Sequence, residues 1–362
     1  MVLHFHPLAV KRITPDAAGS AAITFQVPRE LAKAFEFHPG QFLTLRATLG
    51  GQEVRRNYSI CSARQRYDAT GEIDVGIKPM EGGVFSRWAV QSLTAGSVID
   101  VMPPDGRFSP RVAGARHRVG FAAGSGITPI LSIMATTLAG EPDSQFTLVY
   151  CNQRSNTIMF NEALQDLKDR YPARVTLIHL LSRQPQEVAI LHGRLDEAKV
   201  TELLQALIPP ASIDEAFVCG PEAVIEGTER ALKAAGVAPE RIHAERFVPP
   251  GGAAAAPRRT GPSASAPAAK AHRLDVVIDG KTHHLSMAAD DHVLDAALDG
   301  GLDLPYSCRG GVCCTCRARV LEGKVEMDKN FTLEPWEIEK GFVLTCQSRP
   351  VTDKVVVSYD DR

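Results

Sequence analysis

Nowhere in the 362 residues does an apolar run reach the roughly 18 residues of a membrane-spanning helix, so an integral membrane segment is not expected. An excess of charge of either sign is lacking too. The chain carries 40 basic and 42 acidic residues, net −2, which leaves no bulk electrostatic case for nucleic acid or a membrane surface as a partner. The stretch Met1 to Leu8 holds neither a basic leader nor a long apolar segment, and the expectation is a cytoplasmic protein with reduced thiols. No gathering of histidines and carboxylates suggests oxygenation chemistry within the chain itself.

From Pro249 to Ala271 large apolar side chains all but vanish, and such a segment cannot bury enough surface to offset its ordering entropy. An interdomain linker is expected there, of roughly 25 Å typical span for a flexible coil of this length. Its five prolines and three glycines argue against an alanine-rich helix. The expected division is a β-barrel over residues 1–110, an α/β domain over 111–248, the linker over 249–271 and a further domain over 272–362.

Cysteine is present where it matters most. Ser307-Cys308-Arg309-Gly310-Gly311-Val312-Cys313-Cys314-Thr315-Cys316, with Cys346 further on, gives C-x4-C-x2-C and then C-x29-C. That spacing, on Cys308, Cys313, Cys316 and Cys346, is the plant-type pattern for a [2Fe–2S] cluster. Gly310 and Gly311 are expected to let the backbone wrap the cluster through positive φ. A four-cysteine zinc site is the alternative, although zinc sites usually draw on two short pairs. Cys314 breaks the spacing and is expected to stand beside the ligands without being one. Around the loop, residues 272–362 read as a hairpin turning at Asp279-Gly280, a helix from about Asp291 to Asp299, a strand from Arg317 to Leu321, a short helix from Glu334 to Lys340 and strands over Phe342–Cys346 and Lys354–Tyr359. Cys346 is thereby expected on a core strand.

The first third reads as short strands at barrel-like spacing: His6–Ile13, Ala22–Val27, Phe42–Thr48, Arg55–Ser59, Ile73–Lys78 and Val98–Met102. On Arg55-Arg56-Asn57-Tyr58-Ser59, residues two apart share a face, so Arg56 and Tyr58 point the same way. A guanidinium there can grip a pyrophosphate, the phenol ring can cover an aromatic ring system, and Ser59 can hydrogen-bond a flavin ring nitrogen. A surface arginine beside a half-buried tyrosine is the plainer alternative. Farther on, Gly82-Gly83-Val84-Phe85-Ser86 opens an amphipathic helix, and a helix N-terminus with a serine is a natural phosphate site.

From His117 strands alternate with helices, which argues a parallel sheet with helices on both faces. Such sheets bind nucleotides at the carboxyl ends of their strands. Gly124-Ser125-Gly126-Ile127-Thr128-Pro129 follows the first of them, and Cys219-Gly220-Pro221 ends the fourth. After the second strand stands Asn152-Gln153-Arg154-Ser155-Asn156, with no acid to bind ribose hydroxyls. This favours NADPH through Arg154 and Ser155, with NADH still open.

The arginine-tyrosine-serine strand, the Gly-Gly-x-x-Ser helix start and the Gly-x-Gly-Ile-Thr-Pro loop, in this order, resemble the ferredoxin–NADP⁺ reductase superfamily; the last domain resembles the β-grasp layout of plant-type ferredoxins. The resemblance implies FAD held by Arg56, Tyr58 and Ser59, with its pyrophosphate near Gly83, Val84, Phe85 and Ser86. It also implies a nicotinamide nucleotide at Gly124, Gly126 and Thr128. Cys219 would sit by the nicotinamide ring as a positioning residue, Glu245 near the flavin, and Phe247 over its ring. Ser59, Cys219 and Glu245 are thus the expected hydride-transfer residues.

A hydride donor delivers two electrons and a [2Fe–2S] centre accepts one, so a flavin between them matches the domain order. The expected protein is a reductase passing electrons from NAD(P)H through FAD and the cluster to the oxygenase component of a multicomponent monooxygenase. Its domain order, cysteine loop and Gly341-to-Ser348 tail are similar to the reductase components of phenylacetyl-CoA epoxidases, implying a di-iron oxygenase as acceptor. Reductases of Rieske-type ring or steroid hydroxylases and of hybrid-cluster protein are alternatives, and a redox-sensing iron–sulfur protein is a remoter one.

Overall fold

The computed structural model describes residues 4–247 and 271–361; the expected linker, Ala271 apart, lies outside them. Two compact units result, the first made of residues 5–54 and 58–246 and the second built on 271–361.

The first unit opens with six antiparallel strands: β1 (His6–Pro15), β2 (Ala21–Gln26), β3 (Phe42–Leu49), β4 (Gln52–Ser59), β5 (Glu72–Ile77) and β6 (Val98–Val101). Their order is β4-β3-β6-β1-β2-β5. An Ile60–Val75 bridge and the bond from the Cys61 N–H to the Asp74 carbonyl bring the two edges together, which closes the sheet into a barrel. Alternate residues such as Leu8, Val10, Ile23, Phe25, Leu43, Leu45, Ile73 and Val75 fill it. Two helices accompany the strands. The helix α1 (Arg64–Thr70) was not expected, because Arg-Gln-Arg-Tyr-Asp-Ala-Thr has no apolar stripe and buries only Tyr67. The helix α2 (Val84–Gln91) follows the Gly82-Gly83 turn as expected.

From His117 the chain runs β7 (His117–Ala123), α3 (Ile127–Gly140), β8 (Gln145–Asn152), α4 (Asn161–Arg170), β9 (Val175–Leu181), α5 (Glu197–Ala206), β10 (Glu215–Cys219), α6 (Glu222–Ala234) and β11 (Ile242–Glu245). All the strand pairs are parallel, in the order β11-β10-β7-β8-β9. Leu148 and Tyr150 pack with α3 and α4 on one face, whereas Val149 and Cys151 pack with α5 and α6 on the other. The strand order reverses between β7 and β10, and the crevice at such a reversal is where open α/β sheets bind ligands.

The second unit holds a mixed sheet of β12 (His272–Ile278), β13 (Lys281–Met287), β14 (Arg317–Glu322), β16 (Phe342–Leu344) and β18 (Lys354–Ser358), ordered β13-β12-β18-β14-β16. The helix α7 (Val293–Asp299) buries Val293, Leu294, Ala297 and Leu298 against it, the β-grasp arrangement. A small ribbon of β15 (Val325–Met327) and β17 (Ser348–Pro350), missed in the sequence, flanks the short helix α8 (Pro335–Glu339). One expectation is corrected here. Cys346 lies in a single 3₁₀ turn, Thr345–Gln347, after β16 ends at Leu344. The turn carries the cysteine out of the ladder, toward the cysteine loop.

Candidate functional site

Three expected residues meet at the carboxyl ends of the parallel strands. Cys219 ends β10 and is paired in register with Glu245, the last residue of β11. Ser59, at the end of barrel strand β4, donates its hydroxyl to Glu245 Oε2 at 3.5 Å. Burial raises the Glu245 pKa to about 8, although the Ser59 hydrogen bond pulls the other way. Near neutral pH its carboxyl therefore holds a proton. Burial first, and the nearby Glu245 second, push the Cys219 thiol well up, so it stays neutral. That suits a residue that shapes a pocket more than one that attacks.

The Gly124–Gly126 turn stands at the β7/β10 reversal against Cys219-Gly220. A Cβ on Gly126 would overlap the Cys219 carbonyl and lie 2.9 Å from the Gly220 nitrogen, and one on Gly220 would lie 3.0 Å from the Ala123 Cβ. Only glycines allow these two loops to touch. Gly124 takes φ +55°, and the Lys78 ammonium stands 3.9 Å from where its Cβ would be. Lys78 was overlooked in the sequence, since a lone lysine at a strand end carries no motif. The Thr128 hydroxyl is buried and donates to the Ser125 carbonyl, which braces the turn from within. Glycine-lined backbone with a cation beside it fits a nucleotide pyrophosphate.

On β4, Arg56 is exposed and Tyr58 half-buried, and the Tyr58 ring lies 5.7 Å from that of Phe85 at the start of α2. The expected flavin strand and phosphate turn are thereby joined. Gly83 caps α2, where a Cβ would come within 2.6 Å of Ser86 Oγ. Ser86 is buried and accepts the Met80 N–H, and the Phe85 side chain is core. What Val84, Phe85 and Ser86 can offer a phosphate is therefore mainly their backbone N–H groups. An exposed guanidinium and a half-exposed phenol are groups of the kind that hold FAD. Phe247, the last described residue before Ala271, is exposed. Arg154 is exposed as well, and the Ser155 hydroxyl donates to Gln184 Oε1 at 3.1 Å.

In the second unit the four expected ligands stand as two interacting pairs, Cys308 with Cys313 and Cys316 with Cys346. Among the described residues no three His, Cys, Asp or Glu side chains gather as they would around one ion. Two such pairs, each acting also on the other, suit a [2Fe–2S] centre with one pair to each iron. Backbone N–H groups of Gly310 and Val312 point at the Cys308 sulfur, the first at 3.3 Å. Gln347 Nε2 stands 3.7 Å from the Cys346 sulfur. The Thr345 hydroxyl donates to the Cys316 carbonyl at 2.9 Å and is shared with the buried Tyr359 hydroxyl, which locks the distant cysteine to the loop. Cys308 is the most open of the four.

The loop's backbone departs from expectation. Positive φ is taken by Gly311 (+78°), Arg309 (+50°) and Cys314 (+62°), and not by Gly310. Cys314 is buried and belongs to the same apolar cluster as Leu274 and Leu294. The Arg309 guanidinium is paired with Asp295 of α7. Bound in these sites, FAD would take electrons as a pair and release them singly to a [2Fe–2S] centre.

Family models agree along the chain. Residues 9–109 match the oxidoreductase FAD-binding domain, 121–230 the oxidoreductase NAD-binding domain and 276–351 the 2Fe-2S iron-sulfur cluster binding domain. The chain is 45% identical over 359 residues to one of the subunits of the 1,2-phenylacetyl-CoA epoxidase of Escherichia coli K12, covering 98% of each. It is 35% identical over 353 residues to the ferredoxin reductase component of 3-ketosteroid-9-alpha-monooxygenase from Rhodococcus rhodochrous, covering 97% of this chain and 96% of that one. Phthalate dioxygenase reductase shares the fold over 98% of both chains, with a TM-score of 0.59 at 19% identity. Among the described residues no helix is long and apolar enough to cross a membrane. The chain belongs to the family of oxygenase reductase components, oxidoreductases that carry electrons from NAD(P)H through FAD to a [2Fe–2S] centre.

Proposed function

We propose that the electron acceptor is the di-iron oxygenase of a phenylacetyl-CoA epoxidase and that the electron donor is NADPH, in the cytoplasm. The observation that carries the acceptor is the 45% identity to the E. coli epoxidase component along nearly the full length of both chains. The donor reading rests on Arg154 and the Ser155–Gln184 pair after β8, in a stretch, Asn152 to Asn156, that carries no acid. In this reading Arg56, Tyr58 and Ser59 hold FAD, with the N–H groups from Gly83 to Ser86 at its pyrophosphate. Gly124, Gly126, Thr128 and Lys78 form the nucleotide turn. Cys219 and Glu245 shape the hydride-transfer pocket, Phe247 covers the flavin, and Cys308, Cys313, Cys316 and Cys346 hold the cluster. The boundaries are 1–110, 111–248, 249–271 and 272–362.

The test substitutes this chain for its 45% identical relative in the E. coli epoxidase and follows NADPH-driven epoxidation of phenylacetyl-CoA. Turnover that depends on the added chain is expected. A second reading, a reductase serving a steroid monooxygenase, draws on the 35% relative. It would be favoured if the chain supported only the R. rhodochrous 3-ketosteroid-9-alpha-monooxygenase.

A further inference from the structure

A chain of alternating charges runs along one side of the cysteine loops. His292 sits just before α7, its side chain 21% exposed, with Nε2 2.8 Å from Asp328 Oδ2 and Nδ1 3.6 Å from Asp295 Oδ2. Asp295 also pairs with Arg309, the residue after Cys308. Asp328 also receives Arg349, Nε at 3.0 Å and Nη2 at 3.0 Å. Both ends of the chain reach the cysteine pairs. Arg309 adjoins Cys308 in sequence, and its carbonyl accepts Gln347 Nε2 at 3.0 Å. At the other end the Asp328 N–H donates to the carbonyl of Gln347, the neighbour of Cys346.

A neutral imidazole has one N–H, so it can serve a carboxylate at only one of its two nitrogens. With Asp295 facing one nitrogen and Asp328 the other, the charged ring satisfies both. We propose that His292 is a redox-linked proton site of the [2Fe–2S] centre, taking up a proton when the centre is reduced and acting on it through the Asp295–Arg309 and Asp328–Gln347 links. The inference rests on the four-cysteine assignment above.

The step balances as one electron, delivered from the reduced flavin to the oxidised cluster, and one proton, delivered from solvent to the unprotonated nitrogen of His292. Extra negative charge on the cluster favours the imidazolium, and by reciprocity the imidazolium favours the reduced cluster. His292 is a positioning charge and not a ligand. Asp295 raises its pKa most, burial opposes, Asp328 raises it further and Arg349 opposes again. The charged groups around it are Asp295 on α7, Asp328 after β15, Arg349 on β17, Arg309 on the cysteine loop, and Asp290 and Asp291, which act on Arg349.

The sign follows. At pH below the His292 pKa of both redox states the ring is charged throughout and the cluster potential is flat. Between the two pKa values the potential falls as pH rises, and above both it is flat again at a lower level. The test is an anaerobic equilibrium titration of the full-length protein with both cofactors at a series of pH values, read from the cluster's own EPR signal. A sloping region flanked by plateaus is expected for the native protein. His292→Gln should give the same spectrum with a pH-independent potential near the native alkaline plateau. Asp295→Asn keeps the imidazole but cuts one link, and should shrink the native slope. A flat native profile, an undiminished slope in His292→Gln, or, should that variant fail to hold its cluster, an undiminished slope in Asp295→Asn overturns the proposal. If native protein shows no cluster signal, the cysteine assignment has failed and the proposal falls with it.

Discussion

Gly126 stands so close to the Cys219 carbonyl that a Cβ on it would overlap the oxygen. The contact joins the glycine turn after β7 to the Cys-Gly-Pro turn after β10, across the point where the strand order reverses. Both neighbours are backbone, so neither can swing aside. Gly126→Ala should therefore push the turns apart and raise KM for NADPH by at least about tenfold, equivalent to about 1.4 kcal/mol, with FAD content unchanged. Steady-state kinetics with ferricyanide as acceptor would check it; an unaltered KM would mean that this turn does not hold the nucleotide.

Glu245 gives a pH signature. Its folded pKa of about 8 lies above the ordinary 4.5, so between those values the folded state binds more protons than the unfolded one. This contribution to stability is fully present below 4.5 and is lost as pH rises through about 8. Glu245→Gln stays neutral throughout. Its melting temperature relative to the native protein should climb across that window, as measured by calorimetry at matched ionic strength.

Glu215 behaves in the opposite sense. Fully buried, it accepts Arg118 Nε at 3.0 Å, the Arg111 N–H at 2.6 Å and the Val112 N–H at 3.1 Å, with His243 Nε2 at 3.2 Å. Burial would raise its pKa, but His243, the two N–H groups and Arg118 hold it at about 2. Its contribution is present above the ordinary 4.5 and lost as pH falls toward 2. Glu215→Gln leaves the buried Arg118 short of its innermost counter-charge and should cost about 3–5 kcal/mol in a denaturant titration at neutral pH. A loss below about 1 kcal/mol would contradict the assignment of this cluster as a buried pin.

Two thiols of the cluster region should separate cleanly. Cys346→Ser removes half of one pair, so the cluster's visible and EPR signals should vanish while FAD and NADPH-dependent ferricyanide reduction remain. Cys314→Ser, altering a thiol that packs in the core, should keep the cluster and show only reduced stability.

Much of this architecture is legible from the sequence because local signals agree with the long-range contacts. The helix α7 ends at Asp299 as expected, and strands β2 and β18 fall within a residue of their expected ends. What escaped notice depends on partners far along the chain. The helix α1 has no apolar stripe, and β15 and β17 are three-residue strands defined only by each other. Positive φ at Arg309 and Cys314 is imposed by the loop's path and by Arg309's bond to Asp295, against the ordinary preference for glycine. Lys78 beside Gly124, and the charge chain through His292, arise from tertiary packing that no spacing rule encodes. The [2Fe–2S] domain was legible because the spacing within its cysteine loop is local, whereas the exit of Cys346 from its strand was not.

The most direct test of the electron relay is an anaerobic titration of the purified full-length protein with NADPH, followed by visible absorbance. Bleaching of the flavin band together with loss of the cluster bands is expected, with the same endpoint at a higher concentration of NADH. A flavin that bleaches while the cluster stays oxidised, or a protein that takes up no iron on reconstitution, would contradict the relay.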